Sequence, residues 1–570
     1  MVTENERVKR FGFTAGEMER QKKEVMRNME KAFNEKDKTE SKNFVQEYVS
    51  NFLQGDPFPG IDYEYDLYKK FIPTITVDEV NALAKKWITD GQNAVLIVMA
   101  PEKEGVTVPS DAQIKSLIKT AQTSDIKAYI DNAVDKPLMA KKPIAGKITN
   151  QKAISEVGVT ELTLSNGIRV FLKPTDFKND EVLFTAYKMG GTSLSADADY
   201  QSADMSNAIV DESGIGEFDK ISLDKLMQGK IVNVTPSIVD ISEGMDGSFS
   251  PQDMETAFQM IYLYTTDPRK DENAFKSLME QQKGFLQNRQ SAPENIFRDS
   301  VMYAMSGYNF RFRPMTVEML KEVNQDKALD IYKQRFADAN GWVYTFVGNF
   351  KPETIKPMIE TYLGGIISSG KAETFKDLSI APPKGKMEKT VKKGVEPKAA
   401  VSLKWNGPYE FNRISRFQMN ALMKLLSIKL RENLREDKGG VYGVGASPKL
   451  THFPKSSYEI TVGFGCAPDN VEKLIAAAVD EINDVKKNGC NEKNLLKVKE
   501  TFLRERELAL KENSFWMSAI SQSAMNGENI VELLEYNKWV DNLKGEDFKA
   551  WAEKYFNMNE YKRFVLLPEK

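Results

Sequence analysis

Histidine is almost absent from this sequence, since His452 is the only one among 570 residues. Serine and cysteine hydrolases usually rely on a histidine base, and a catalytic zinc ion usually has two or three histidine ligands. The count therefore excludes most hydrolytic sites from within these residues. His452 itself lies in the loop-like stretch KLTHFPKSS, and we expect it to be a surface residue without a catalytic role.

Cysteine, surplus charge and long apolar runs are also scarce. Cys466 and Cys490 are the only cysteines and form no zinc-binding pattern, so we expect both to fill apolar space. With 79 basic and 82 acidic residues the net charge is −3, which gives no reason to expect nucleic acid or an anionic membrane as a partner. No apolar run approaches the roughly 18 residues of a membrane helix. The composition is that of a globular protein with roughly two to four domains.

The sequence does contain a repeated pattern. Three segments begin with a polar helix cap, continue as a short amphipathic helix, cross a polar turn and end in an apolar strand. They are ITVDEVNALAKKWITDGQNAVLIVMAP from Ile75, VNQDKALDIYKQRFADANGWVYTFVGN from Val323 and LKGEDFKAWAEKYFNMNEYKRFVLLPE from Leu543. The expected capping residues are Asp78, Asp326 and Asp547. A long charged helix precedes each segment, so the chain is predicted to contain duplicated globular units.

The second and third copies share a front part that the first copy lacks. In the second copy, TELTLSNGIRVFLKP predicts a hairpin, because SNG separates two alternating apolar strands, and NDEVLFTAYKMGG predicts a further strand. In the third copy, MEKTVKKG, KAAVSLKWNGPY and a long helix pattern occupy the same place. By this comparison we expect about 120 residues to be missing before Met1, through a shortened chain, a split gene or a division into two subunits.

These patterns predict an α+β fold and four segments. Residues 1–101 form a truncated first unit, residues 102–154 a linker, residues 155–373 the second unit and residues 385–570 the third unit. Each complete unit is expected to be a two-layer domain with a mixed, mostly antiparallel sheet and helices on one face. The strand AVLIVMA of the first unit would lack sheet partners, so apolar surface there would be exposed or covered by another copy of the chain.

Four short stretches of the second and third units have counterparts in a known family. LSNGIRVFLKPT (residues 164–175) is similar to the opening hairpin of a family domain, MGGTS (189–193) to the end of its next strand, and FVGNF (346–350) to its closing strand. LREDKGGVY (434–442) is similar to a C-terminal substrate motif, because an arginine, a turn glycine and a tyrosine fall in register. Together they resemble the M16 (pitrilysin and insulinase) family of zinc metallopeptidases, and GFTAGEME and SGIGEFDKISLDKLMQGK resemble its bacterial full-length zinc proteases.

The resemblance implies M16-type domains of the LuxS/metallohydrolase-like fold. The first unit would be the end of a second domain, and the second and third units would be the third and fourth domains. In the family, two halves close like a clamshell around a peptide, and the zinc site is an HxxEH helix of the first domain with a further glutamate downstream. Here the corresponding helix of the second unit reads MSNAI (residues 205–209), and Phe285 and Leu286 stand near the glutamate position. We therefore expect no zinc in this chain, and a zinc ion in the missing N-terminal domain of the parent enzyme.

Arg435 and Tyr442 are the candidate substrate-binding residues, and no catalytic or metal-binding residue is predicted in this chain. A structural explanation exists, because an arginine at a helix C-terminus pairs with the helix dipole and a tyrosine suits a strand. The resemblance implies instead that both side chains reach the bound peptide across the closed chamber. A planar guanidinium and a phenol hydroxyl are donors suited to an oxygen that gains charge during hydrolysis. Arg431 and Glu436 are expected to be structural.

Three functions stay open at this point. The first is the non-catalytic C-terminal half of an M16-type zinc metalloendopeptidase, which closes over and positions a peptide substrate. The second is a stand-alone inactive subunit that partners a separate HxxEH-bearing chain, and the third is a purely structural homologue. Arg435 and Tyr442 argue against the third, and the truncated first unit favours the first over the second. The expected partners are a peptide, the missing half or a partner subunit, and another copy of the chain through the first unit. On the same resemblance a full-length parent would be periplasmic.

Overall fold

The computed structural model describes residues 2–89, 95–99, 107–132, 136–371, 373–437 and 441–569, apart from the side chains of residues 436, 437 and 442. The α-helices of this part are α1 (Val2–Phe11), α2 (Ala15–Asn34), α3 (Ser41–Gln54), α4 (Ile61–Phe71), α5 (Val77–Trp87), α6 (Asp111–Thr123), α7 (Tyr200–Asp204), α8 (Ser206–Ser213), α9 (Lys220–Met227), α10 (Met254–Thr266), α11 (Glu272–Arg289), α12 (Pro293–Met305), α13 (Gln325–Phe336), α14 (Pro352–Met358), α15 (Arg413–Leu430), α16 (Val471–Asn488), α17 (Glu492–Ala509), α18 (Asn513–Asn526), α19 (Tyr536–Asp541) and α20 (Asp547–Tyr555). In the described residues, no helix is both long and apolar enough to cross a membrane.

The strands belong to two sheets. They are β1 (Ile148–Ile154), β2 (Val159–Leu164), β3 (Arg169–Pro174), β4 (Val182–Met189), β5 (Val232–Ile238), β6 (Ser242–Phe249), β7 (Val343–Gly348), β8 (Met387–Lys392), β9 (Ala399–Pro408), β10 (Val441–Thr451), β11 (Ser457–Cys466) and β12 (Tyr561–Leu567). The first sheet has the order β1-β2-β3-β7-β4-β6-β5 and lies in the second unit. The second sheet has the order β10-β11-β9-β12-β8 and lies in the third unit.

The two sheets share one topology. In the first sheet β3 is parallel to β7, and in the second sheet β8 is parallel to β12. The other neighbouring pairs are antiparallel. The order β3-β7-β4-β6-β5 therefore matches β8-β12-β9-β11-β10 strand for strand. The predicted α+β fold with mixed, mostly antiparallel sheets is confirmed, and the duplication is visible as a repeated strand order.

The predicted hairpin of the second unit is present and explains how its sheet begins. β2 pairs with β3 across SNG, where Gly167 has φ of +90°, a value that glycine adopts without strain. The Asn166 amide donates to the carbonyl oxygens of Leu363 at 2.8 Å and Ile366 at 2.9 Å, so the turn is tied to the end of the unit. Beyond it, the residues of β4 alternate between buried and half-buried positions, as expected for a strand with one core face.

Each sheet has a second face that a helix of the other unit covers. Trp516 and Ile520 of α18, in the third unit, pack with Phe171, Val343 and Val347 of the first sheet. Reciprocally, α12 of the second unit packs on the second sheet, through contacts that include Phe297, Val301, Phe564 and Leu566. Each unit taken alone thus has the predicted layer of helices on one face of its sheet. In the whole chain, each sheet is covered on both faces, because a helix of the other unit packs on its second face. Burial on both faces accounts for the continuous apolar run of β7.

The first unit is helical in its described residues. Its α2 packs on the second unit, where Arg27 donates to Asp180 Oδ2 at 2.9 Å and to Ser250 Oγ at 2.7 Å. Residues 95–99, the described part of the predicted strand AVLIVMA, do not form a strand, and their side chains are exposed by 43% or more. The rest of that prediction, Ala94 and Ala100, lies outside the described residues. The physical reason is that no described strand lies beside residues 95–99 to accept their hydrogen bonds.

The predicted linker contains two elements. α6 occupies the stretch DAQIKSLIKTAQ, and its N-terminus is capped by Ser110. β1 lies at the end of the same segment and pairs with β2, so residues 148–154 belong to the first sheet. Asp131, between these elements, accepts hydrogen bonds from Arg20 at 2.8 Å and from Lys225 at 3.1 Å. The segment is thereby joined to both α2 and α9.

None of the three expected capping residues is itself the cap: α5 and α13 are capped two residues earlier, and Glu546 occupies the cap position before Asp547 in α20. α5 is capped by Thr76, whose hydroxyl accepts from the Glu79 N–H at 3.2 Å while the Glu79 carboxylate accepts from the Thr76 N–H at 2.7 Å. α13 is capped by Asn324. Asp78 and Asp326 therefore lie in the first turns of these helices, where a carboxylate is still favoured by the helix dipole.

His452 is half-buried, and the prediction of a surface residue is wrong. Its ring stacks on Phe411 with centroids 4.6 Å apart and lies 4.1 Å from the ring of Phe453. Its Nδ1 is 3.1 Å from Oδ1 of Asn526 in α18. Apolar ring contacts thus hold the imidazole in a packed position that a loop-like local sequence does not reveal.

Candidate functional site

The predicted substrate motif lies where a long helix gives way to an edge strand. α15 ends at Leu430, and the chain continues as a π-helical turn over Arg431–Asp437. Residues 438–440, which include the two turn glycines, lie outside the described residues, and β10 begins at Val441. The helix end and the strand start that the sequence predicts are both present. Single π-helical turns often occur at functional sites.

Several contacts with the core and with neighbouring helices hold this π-helical turn in place. Leu434 is fully buried in the core of the third unit. The Asn433 amide donates to Glu481 of α16, and the Lys497 ammonium donates to Glu432 at 2.8 Å. That hydrogen bond is the main reason that the pKa of Glu432 is lowered. A turn anchored in this way holds its exposed side chains at defined positions.

Arg435, like Arg431, is an exposed residue of this anchored turn. Its side chain makes no hydrogen bond or ion pair with any described residue. An arginine that only capped the helix would donate to the last helical carbonyl groups, and no such bond is present within the part of the chain that the structure describes. The guanidinium is therefore available for a group outside the described residues.

Tyr442 is the second residue of the edge strand β10, and its side chain is outside the described residues. The register between β10 and β11 shifts between Val441 and Gly443, so Tyr442 is the residue of a β-bulge. The substrate-binding role of Arg435 and Tyr442 stays a prediction.

The strand next to Arg435 has an open edge. β10 pairs with β11 and is the outermost strand of the second sheet in the described residues. A Cβ atom placed on Gly443 or Gly445 would meet nothing within 4 Å. An extended peptide can add to such an edge through main-chain hydrogen bonds, and side-chain-free positions allow its backbone to approach closely.

The second unit has apolar side chains at the position that corresponds to the HxxEH helix of the family. Met205 and Ile209 of the MSNAI stretch pack with Leu278 of α11 and Val323 in an apolar cluster. Phe285 is 58% exposed, and Leu286 is buried. Among the described residues no group of three His, Cys, Asp or Glu side chains could hold a metal ion. Apolar side chains at this place do not fit the nitrogen and oxygen ligands of zinc.

An open cleft that no local sequence pattern predicts is present on the helical side of β10. It lies between α15, α17 and α19, and its lining includes Arg413, Arg416 and Arg506 together with Phe417, Phe502 and Tyr536. The signal in the sequence was weak, because these residues are spread over more than a hundred positions of the chain. Only Arg413 and Arg416, one helical turn apart, could have indicated a basic helix start.

Several known proteins are similar to this chain in sequence. Residues 322–502 match the family model of the peptidase M16 inactive domain. The chain is 28% identical over 534 residues to a zinc protease PQQL-like protein of Arabidopsis thaliana, a match that covers 90% of this chain and 53% of that protein. The chain spans about half the length of the curated relatives that it matches.

Two solved structures share the fold. The periplasmic protease PqqL from Escherichia coli has a TM-score of 0.68 at 20% identity, over 100% of this chain and 62% of that chain. A mutant of the ferredoxin protease FusC, solved in complex with Arabidopsis ferredoxin, has a TM-score of 0.70 at 18% identity, over the same shares of the two chains. These findings show that the chain shares the fold of these two proteases and that residues 322–502 are similar to the peptidase M16 inactive domain. They include plant and bacterial proteins, so they do not single out the bacterial branch.

Proposed function

We propose that this chain is the non-catalytic half of an M16-type zinc metalloendopeptidase, which closes over a peptide substrate and positions it. In such an assembly the hydrolysis belongs to an HxxEH-bearing half, carried either on the same polypeptide or on a separate subunit. The match of residues 322–502 to the peptidase M16 inactive domain supports this proposal, as does the apolar cluster that occupies the MSNAI position of the second unit. The chain alone is then a peptide-binding body without peptidase activity.

The observation that carries the proposal is Arg435, exposed and without a described partner beside the open edge of β10. The guanidinium can donate two parallel hydrogen bonds to peptide carbonyl oxygens while the edge of β10 pairs with the peptide backbone. If the phenol of Tyr442 turns to the same side, it adds a second kind of donor. Each donor placed at an oxygen that gains charge is worth roughly 3–4 kcal/mol in the transition state.

The apolar face of α3 supports the need for a second half. This face, called the α3 face below, consists of Phe44, Val45, Tyr48, Val49, Phe52 and Leu53, each exposed by 40% or more. α3 follows the long helix α2 just as α12 follows α11 and α18 follows α17. Both α12 and α18 cover the outer face of a sheet in another unit. By the same rule the α3 face would cover the sheet of an HxxEH-bearing domain, and in its absence a second copy of the chain is the alternative occupant.

The proposal is tested by restoring the zinc-bearing half. An HxxEH-bearing segment is sought in frame upstream of Met1 and otherwise as a separate chain. The assembly should hydrolyse an extended peptide, and Arg435→Lys and Tyr442→Phe should each lower kcat, by about 10²- to 10³-fold for the tyrosine. Arg431→Lys, in the same exposed turn, is the matched control and should leave kcat unchanged. Full kcat together with a lower melting temperature in both variants would contradict the substrate role.

A second variant tests the interface separately from the substrate site. Phe52 is 86% exposed on the α3 face, and Phe52→Glu should prevent the two halves from associating in analytical ultracentrifugation. Leu117→Glu, which places the same charge on an apolar residue of α6 that is 67% exposed, should leave association intact. Normal association of Phe52→Glu would rule out the α3 face as the interface.

A further inference from the structure

The cleft on the helical side of β10 has the size and lining of a small-molecule site. Its volume is about 540 Å³, within the usual range for ligand pockets. Phe417, Phe502, Tyr536 and Trp539 give it apolar walls, while arginine side chains of α15 and α17 reach it from two directions. The proposed peptide-binding edge of β10 does not include this cleft, and the comparisons with known proteins assign it no role.

One arginine of the cleft is fully matched by a carboxylate. Arg416 donates to both oxygens of Glu528 at 2.7 Å, the bidentate geometry that gives the strongest arginine–carboxylate pairs. Lys424 and Glu505, at the rim, form a second pair at 2.8 Å. These two cations therefore need no further anion.

Arg413 is less well matched, although its side chain is only 8% exposed. Its Nη2 donates to Ser523 Oγ at 2.7 Å, but its distances to Glu528 and Glu532 oxygens are 3.5 Å, too long for good hydrogen bonds. Its Nε is buried and has no hydrogen-bond partner. Burial accordingly lowers the pKa of Arg413. A buried donor without a partner is unusual in a folded protein and calls for an explanation.

Arg506 makes no ion pair with any described carboxylate. It is 9% exposed, donates to the carbonyl oxygen of Leu533 at 2.8 Å, and lies 4.6 Å and 4.9 Å from the ring centres of Phe515 and Tyr536. Burial is the main cause that lowers its pKa, and the positive charge of Arg413 lowers it further. The rings hold the guanidinium in place, so its remaining donors are preorganised.

The charged side chains of the cleft indicate which kind of ligand would complete it. Beyond the pairs Arg416–Glu528 and Lys424–Glu505, Arg413 has only long contacts to the shared Glu528 and to Glu532, whose side chain is 52% exposed, and Arg506 has no ion pair with a described carboxylate. About one positive charge therefore remains without a buried counterpart, and burial of an unpaired charge is costly. A dianion would meet repulsion from the three glutamates, whereas a single negative charge would complete the balance. The aromatic walls call for an apolar group beside that charge.

We propose that this cleft binds a monocarboxylate joined to an aromatic or branched apolar group, with the carboxylate held by Arg413 and Arg506. The free C-terminus of a peptide and a small organic acid share this chemistry. The proposal rests on the cleft alone and is independent of the zinc-bearing half, because it can be tested with the full chain in isolation.

Isothermal titration calorimetry on the full chain tests the proposal with four probes: N-acetyl-L-phenylalanine, its amide, 3-phenylpropionate and inorganic phosphate. At least one of the two acids should bind, and the amide should bind at least tenfold more weakly than N-acetyl-L-phenylalanine. Tighter binding of N-acetyl-L-phenylalanine than of 3-phenylpropionate would identify a peptide end, and the reverse order a simple organic acid. Binding of phosphate alone, equal binding of acid and amide, or no binding of either acid would overturn the proposal.

Variants locate the binding in the cleft. Arg506→Gln should weaken the acids at least tenfold, while Arg504→Gln, which removes an exposed arginine of the same helix, should not. Because Arg506→Gln removes a buried group and could fail to fold, Asn420→Trp provides a second arm. Asn420 is exposed at the mouth of the cleft, so the larger side chain should block binding and leave the circular dichroism spectrum unchanged. Unchanged affinity in Asn420→Trp would place any observed binding elsewhere and overturn the proposal.

Discussion

At the scale of single residues, Arg27 shows how buried charges join the units of this chain. Its side chain is 5% exposed and faces Asp180, whose side chain is 7% exposed, across the contact between α2 and the second unit. Ser250 donates to Asp180 Oδ1 at 2.5 Å and accepts from Arg27, and Asp253 lies 3.9 Å away. Arg27 is the cation paired with Asp180 in this buried cluster, so its loss leaves the Asp180 carboxylate with only the Ser250 hydroxyl as a side-chain partner.

We expect Arg27→Ala to lower the free energy of unfolding by about 3–5 kcal/mol, because it leaves Asp180 buried as an unpaired charge. The measurement is urea-induced unfolding followed by circular dichroism. Lys69→Ala, which removes an exposed lysine paired with Asp66, is the control and should leave the unfolding midpoint unchanged. A loss below about 1 kcal/mol in Arg27→Ala would show that the pair behaves like a surface ion pair.

The structural role of a residue could be predicted from the sequence where neighbouring residues determine it. The SNG turn was predictable, since Gly167 is required by its positive φ, and so were the helix end before Arg435 and the strand that begins at Val441. The position of His452 was not, because Phe411 and Asn526, which hold it, are far away in the sequence. Arg413 and Arg506 were missed for the same reason. A cleft assembled from three helices has no local pattern.

At the scale of elements, α18 connects the two complete units. Trp516 is 7% exposed, donates from Nε1 to the carbonyl oxygen of Leu510 at 3.0 Å, and has the ammonium of Lys173 3.9 Å from its ring centre. It belongs to the third unit by sequence and to the core of the first sheet by packing. Periodicity predicts that α18 has an apolar face but does not reveal which sheet receives it.

Trp516→Ala should therefore destabilise a sheet that lies more than 160 positions earlier in the chain. The expected loss is about 3–5 kcal/mol, as for other buried tryptophans. Hydrogen exchange of the β4 and β7 amides should become faster, while Leu508→Ala, on an exposed face of α17, should leave it unchanged. Faster exchange confined to α18 itself would mean that the helix does not support the first sheet.

The segment between α6 and β1 supplies a pH-dependent contact. The hydrogen bond from Arg20 is the main cause that lowers the pKa of Asp131, and Lys225 adds to it. A lowered pKa in the folded state means that the contribution to stability is present above the unfolded pKa of about 3.8 and is lost as the pH falls through the folded value.

Asp131→Asn should consequently be less stable than the unmodified chain near neutral pH, and the difference should shrink on acidification below about pH 4. Denaturant midpoints of both proteins, measured at a series of pH values, give this difference directly. Asp62→Asn, which alters an exposed carboxylate paired with Lys36, provides the comparison. A difference that grew as the pH fell would refute the assigned direction.

At the scale of the whole molecule, the three units differ in how much of their apolar surface is covered. α12 and α18 are each buried against a sheet of the other complete unit, whereas the α3 face is exposed. The repeat could be predicted from the sequence because three segments share a pattern. The exchange of covering helices could not, because it depends on contacts between units that local periodicity does not encode. Its consequence for α3 is the basis of the interface proposed above.

That exchange also constrains how the chain is made on the ribosome. β7, the strand that completes the first sheet, ends at Gly348, but α18, which covers its outer face, begins only at Asn513. At about 5–20 residues per second, roughly 10 to 30 seconds of synthesis separate the two events. During this interval Val343, Val347 and Phe171 of the nascent chain are exposed to solvent. We expect a holding chaperone to bind there. Nascent chains arrested before α18 should be captured by such a chaperone, and chains released after β12 should not.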